Sequence, residues 1–281
     1  MAETIQTVKL RGTISTTHFG HEKLISLYRE CCDYSNTPIT VCFKDLNWID
    51  ANMAALLQAI VRKLEKENSL ELLADLTAST SDFGILFRNG LFESNEFQGR
   101  DTGTTIRLKE FFPNHEDEFV EYIESDFIDF PRLVLADNSK DLIVQSLIEI
   151  FTNYEIHSKA DYPIFLCGQY YPIKKSLKFT IVDLGIGFLE PIKRKVPQID
   201  TFEKAINWAM VQGNTTKTDA PGGLGLFELR ESMEDNNGFL EIVSGNAYKA
   251  CGIKSGTRFE TCRTLNSFHV GTTINLVFND V

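Results

Sequence analysis

The stretch DNSKDLIVQSLIEIFTNYEIH, residues 137–157, decides the fold because it carries two stripes at once. Ile143, Leu147, Ile150 and Tyr154 recur at three- and four-residue spacing, which on a helix makes one apolar face for packing on a sheet. Gln145, Glu149, Asn153 and His157 are four apart and form a polar stripe beside it. Such a stripe sits at the edge of a core and faces a cleft. A carboxylate and an amide on it suit a hydrated cation and a water, although the stripe alone also fits a plain solvated face.

Working outward, LKFTIVD (177–183) is a strand that ends in Asp183-Leu-Gly-Ile-Gly187. An Asp at a strand end can accept a hydrogen bond, and Gly185 and Gly187 let the backbone approach a ligand closely. Taken alone it is also an ordinary turn. Further on, Gly213-Asn-Thr-Thr-Lys217 and Gly222-Gly-Leu-Gly-Leu226 precede a helix predicted over Leu224 to Asp235. Glycines before a helix N-terminus present free N–H groups and the positive end of the dipole to phosphate. Lys217 adds a cation. Strands are predicted at Ile164–Gln169, Gly238–Ser244, Gly256–Arg263 and Thr272–Phe278, so the second half reads as an α+β sandwich with an insertion over 188–222.

The first half alternates strand and helix. Thr7–Ile14 alternates apolar and polar residues, His21–Tyr34 is helical, and Ile39–Phe43 is a short apolar run. A helix capped by Asp50 or Asn52 carries Leu56, Ile60 and Leu64 on one face. Leu70–Leu73, a helix over Phe83–Asn89 and a closing strand Thr104–Leu108 complete a small α/β unit. The expected division is an α/β domain at 1–110, a connecting helix and linker at 111–135, and a binding domain at 136–281.

The net charge of −11 argues against a general role on nucleic acid or anionic lipid. No apolar run is long enough to span a membrane and no signal peptide opens the chain, so a cytoplasmic location is expected. Six cysteines without CxxC spacing read as reduced thiols, and a metal site built from protein side chains alone is not expected.

Taken in order, Glu149-xxx-Asn153, Asp183-x-Gly185-x-Gly187, Gly223-x-Gly225 and Gly271-Thr272-Thr273 resemble the Bergerat-fold (GHKL) family of gyrases and histidine kinases. The match covers the second half of the chain. The resemblance implies ATP and Mg2+ as ligands. It gives Asp183 the adenine amino group, Asn153 the Mg2+, and Gly223, Leu224, Gly225 and Leu226 the phosphates. It places Thr273 near adenine, makes 188–222 an ATP lid, and makes Glu149 the general base. Asn153-Tyr-Glu-Ile-His157-Ser158 is similar to the same motif in anti-sigma-factor serine kinases, where His157 is structural or touches phosphate. Leu184 departs from the Asn that many members carry after the Asp, which bears on turnover.

Val8–Gly12, VCFKDLNWID (41–50) and the following helix resemble a STAS domain, the fold of anti-sigma-factor antagonists. Asn52 stands near the position where that family carries a phosphorylatable serine, so a phospho-switch there is not expected. The two resemblances imply a regulatory protein with slow Mg-dependent ATPase or serine/threonine kinase activity, whose lid gates an unidentified protein partner and whose closure promotes a homodimer. The alternatives are a non-catalytic interaction module with structural ATP, or a histidine-kinase-like core with His115 as phosphoacceptor.

Overall fold

β1 (Gln6–Ile14) buries Val8, Leu10 and Ile14 and exposes Thr7, Lys9 and Arg11, the period-two pattern of a sheet covered on one face. It pairs in parallel with β2 (Pro38–Ile49), which pairs in parallel with β3 (Glu71–Asp75). Parallel neighbours require crossovers, and α1 (His18–Cys31) and α2 (Ala54–Asn68) supply them. These coordinates are a computed structural model that describes residues 6–77, 83–92, 102–136, 139–157, 162–216 and 225–280.

The second sheet is antiparallel and has the order β4 (Thr105–Phe111), β5 (Ile164–Tyr171), β6 (Ser176–Asp183), β8 (Thr257–Asn279), β7 (Gly238–Lys254). Together the two sheets make a mixed α/β protein in four layers: parallel sheet, α1 and α2, antiparallel sheet, and an outer helical layer. β5 records this burial in its sequence. Ile164 and Leu166 pack with α5 (Ser139–His157), while Phe165 and Cys167 join the core around α2. Both faces are covered, so the strand is apolar from Ile164 to Cys167.

α2 explains itself in the same way. Leu56, Ile60 and Leu64 are buried as their spacing predicts, but so are Ala54, Ala55, Leu57 and Ala59. A helix clad on two sides needs two apolar faces, and α2 lies between the sheets. Asp50 and Asn52 do not cap it; both side chains are buried in polar contacts with other elements.

Two expectations are corrected. The strand expected to close the first unit, β4, pairs instead with β5 of the second sheet. The segment expected to be a connecting helix and linker does carry a helix, α4 (Glu116–Tyr122), but it is core: α4 stacks Phe119 on Phe151 at 4.5 Å, and the π-turn after it stacks Phe127 on Phe179 at 4.1 Å. His115, at the start of α4, is exposed and lies 3.5 Å from Glu118. β7 and β8 form one long hairpin. Ser255 (φ 52°) and Gly256 (φ 69°) make its two-residue turn, so Gly256 does not begin a strand, and 245–254 is strand where none was expected. All six cysteines are unpaired. Among the described residues no helix is long and apolar enough to cross a membrane.

Candidate functional site

A cleft of about 880 Å³, open mouth included, lies between α5, the end of β6, residues 272–274 of β8, the segment 185–216, and the start of α8 (Gly225–Asp235). Its concave shape, with apolar walls and a few convergent polar groups, is that of a small-molecule site. Ile150, Ile186, Ile192, Trp208 and Ile274 supply apolar walls, and Glu149, Asn153 and Asp183 supply the convergent polar groups.

Asp183 ends β6 opposite Thr272 of β8. Its carboxylate accepts the Gly185 N–H at 2.8 Å, together with the side chain and backbone N–H of Thr272. Burial nonetheless pushes its pKa up to about 6, since desolvation outweighs those bonds. The fit around it is close. A Cβ on Gly271 (φ 93°) would stand 2.0 Å from the Asp183 carbonyl oxygen, so only glycine lets β8 approach here. Gly187 (φ 67°) is likewise pressed on Ser244, where a Cβ would stand 2.5 Å from Oγ. Buried Ser244 accepts the Phe188 N–H at 3.3 Å and donates to the Gly271 carbonyl at 3.2 Å, tying the 185–188 loop to the sheet.

α5 carries Glu149 and Asn153 along one side of the cleft, as four-residue spacing requires. Glu149 Oε2 accepts the N–H of Gly225, the first residue of α8, at 2.8 Å. The carboxylate is thus an anion held at a helix N-terminus, and that N-terminus is oriented for negative oxygen. A Cβ on Gly225 would be 2.8 Å from the same oxygen. α6 (Leu189–Lys195) and α7 (Phe202–Ala209) form the far wall. Asn214 donates to the Trp208 carbonyl at 2.9 Å, and Lys195 Nζ to the Thr215 carbonyl at 2.7 Å, which places a cation at the lip.

The sequence-predicted residues sort plainly. Glu149, Asn153, Asp183, Gly185, Gly187, Gly225 and Leu226 all line the cleft. Lys217, Gly223 and Leu224 lie outside the described residues. Thr273 is corrected: it faces the other side of the sheet, its Oγ1 3.0 Å from His269 Nε2, and Thr272 lines the cleft instead. Strand alternation is the reason, because Thr272 pairs with Asp183 whereas Thr273 pairs with Val182, which is buried against the first half. Sequence reasoning did not single out Ser244 or Trp208; neither stands in a spaced pattern, and Ser244 reaches the 185–188 loop from a distant strand.

Among the described residues no group of three or more His, Cys, Asp or Glu is placed to hold a metal. Asn153 is one of several polar residues that line the cleft, with Glu149, Asp183 and Thr272. A scan against protein-family models matches no family, and a search of the curated proteins returns no match.

Proposed function

We propose that the chain binds Mg-ATP in this cleft and uses it for slow ATP hydrolysis or transfer to a serine or threonine of a protein partner. The observation that carries the proposal is the convergence, in one cleft, of the Asp183 acceptor between apolar walls and a helix N-terminus already bonded to an anionic oxygen. In this reading the second half is a Bergerat-type sandwich and the first a STAS-like unit. The apolar walls take the adenine ring, and Asp183, ionised above its raised pKa, accepts from the exocyclic amine. The Gly225 amide and α8 dipole take phosphate oxygens in place of Glu149 Oε2. Asn153 offers its amide oxygen to Mg2+.

Bound Mg-ATP supplies an electrophilic phosphorus and a leaving group. Glu149, released from Gly225, takes the proton of the attacking water or hydroxyl, a task for a carboxylate within one water of the reacting centre. The test is titration calorimetry of Mg-ATP into wild type and Asp183→Asn, followed by phosphate release from wild type and Glu149→Ala. Wild type binds; Asp183→Asn, which turns an amide N–H toward the adenine amine, loses about 100-fold or more in affinity. Glu149→Ala binds but loses about 100-fold or more in turnover. Failure of wild type to bind at millimolar Mg-ATP ends the proposal.

A further inference from the structure

The antiparallel sheet carries a second polar constellation, on its back face, where the first half of the chain is seated. Thr180 of β6 and Asn275 of β8 are cross-strand partners, both wholly buried on that face. Thr180 Oγ1 donates to Asn275 Oδ1 at 2.7 Å and accepts from Asn52 Nδ2 at 2.7 Å. Asn275 Nδ2 donates to His21 Nε2 at 3.0 Å, and His21 Nδ1 donates to the Thr17 carbonyl at 2.8 Å. These bonds have one direction throughout. They require the neutral His21 tautomer protonated at Nδ1, and burial that pushes His21 down to about 4 agrees with it.

Beside this chain Asp50 accepts Lys178 Nζ of β6 at 2.5 Å, with Thr16 N at 2.8 Å and Trp48 Nε1 at 2.8 Å. The residues at the start of the first half's second helix are therefore clamped to β6 and β8. The Thr180–Asn275 rung lies three residues from the Asp183–Thr272 rung, about 10 Å along the strands. An odd separation turns the two rungs to opposite faces. What fixes one rung in register and twist fixes the other.

We propose that Asn52 is a positioning residue for the nucleotide cleft: through Thr180 and Asn275 it sets the β6–β8 rung from which Asp183 and Thr272 project. The first half is thus the back plate of the binding site rather than a separate module. This rests on the nucleotide reading above and adds to it a residue on the other side of the sheet.

Asn52→Asp tests it with almost no change of shape. A carboxylate can only accept, so the Thr180 hydroxyl turns to it and Asn275 Oδ1 loses its donor. Calorimetry with Mg-ATP on the full chain, well below the melting temperature and with near-UV circular dichroism matching wild type, should give about tenfold weaker binding, within the usual range of inter-site coupling. Gln58→Ala is the control. It removes a 2.9 Å bond from α2 to Glu110 of β4, an attachment of the first half remote from the rung, and its affinity should stay within twofold of wild type. A merely structural Asn52 would lower the melting temperature and leave affinity alone.

Should Asn52→Asp fail to fold, hydrogen exchange on wild type decides. Mg-ATP should slow exchange in residues 16–21 and 50–54, on the far side of the sheet from the cleft. Folded Asn52→Asp within twofold of wild type, equal losses in Asn52→Asp and Gln58→Ala, or unchanged exchange there each overturns the inference while leaving nucleotide binding standing. Wild type that does not bind Mg-ATP overturns both.

Discussion

The two faces of the β6–β8 pair are built from alternate residues of the same strands and hold polar groups in opposite states. On the back face, Asp50, Asn52, Thr180 and Asn275 meet one another and Lys178 at hydrogen-bond distances, all in contact with protein. On the front, Asp183 and Glu149 accept from backbone N–H groups, and Asp183 also from the Thr272 hydroxyl, in segments that border an open cleft. Buried polar groups that satisfy one another specify a structure. Those arranged around an opening specify a ligand.

The comparison breaks most sharply on stability. Asp50→Ala strips Lys178 of its buried partner and should cost about 3–5 kcal/mol in urea unfolding. Asp183→Asn removes a carboxylate whose ionisation burial opposes, so nucleotide-free protein near neutral pH should be no less stable than wild type, and more stable if the bonds are kept. Equal losses from both would erase the distinction between the faces.

A second test uses pH. Glu241 of β7, cross-strand from Asn275, has its pKa pushed up to about 8 by burial. The folded state then holds a proton that the unfolded carboxyl has released, so this stability is present at low pH and is lost as pH rises through 8. His21 and His269, pushed down to about 4 and about 3, act the other way, but only below about pH 6.5, where an unfolded histidine takes up a proton. Unfolding free energy should therefore fall between pH 6.5 and 8, at up to about 1.4 kcal/mol per unit. Glu241→Gln should remove most of that slope, the remainder coming from Asp183 near pH 6.5 and from buried thiols near pH 8; an unchanged slope assigns it elsewhere.

The smallest expected effect separates neighbours. Thr272→Val should weaken Mg-ATP binding severalfold by loosening Asp183, while Thr273→Val should leave affinity within twofold, since its hydroxyl meets His269 on the back face. The reverse order would restore Thr273 to the site.

Local pattern carried much of this into the sequence. Four-residue spacing placed Glu149 and Asn153 on one side of α5, and a strand ending in Asp-x-Gly-x-Gly placed Asp183 beside them. β4 was not legible as part of the second sheet, because its pairing with β5 is set by segments some sixty positions apart, such as Thr105 with Gln169. Asp50 and Asn52 looked like helix caps because Asp and Asn at a helix start are caps when solvent lies outside; here a second sheet lies outside. A Gly-Thr-Thr sequence does not say whether Thr272 or Thr273 faces forward until the register with β6 is known.

The placement of α2 between two sheets bears on how the chain reaches this state. The helix layer has one sheet from the first 75 residues, but its other partner includes β8, and Asn275 meets His21 across a separation of 254 positions. Loops of that length close slowly. Until they do, Leu56, Ala59 and their neighbours lack half their cover, and a nascent first half presents an apolar face of the kind chaperones hold. The two halves are then expected to unfold in one cooperative transition, with the earlier-made half waiting on the later one for its own stability.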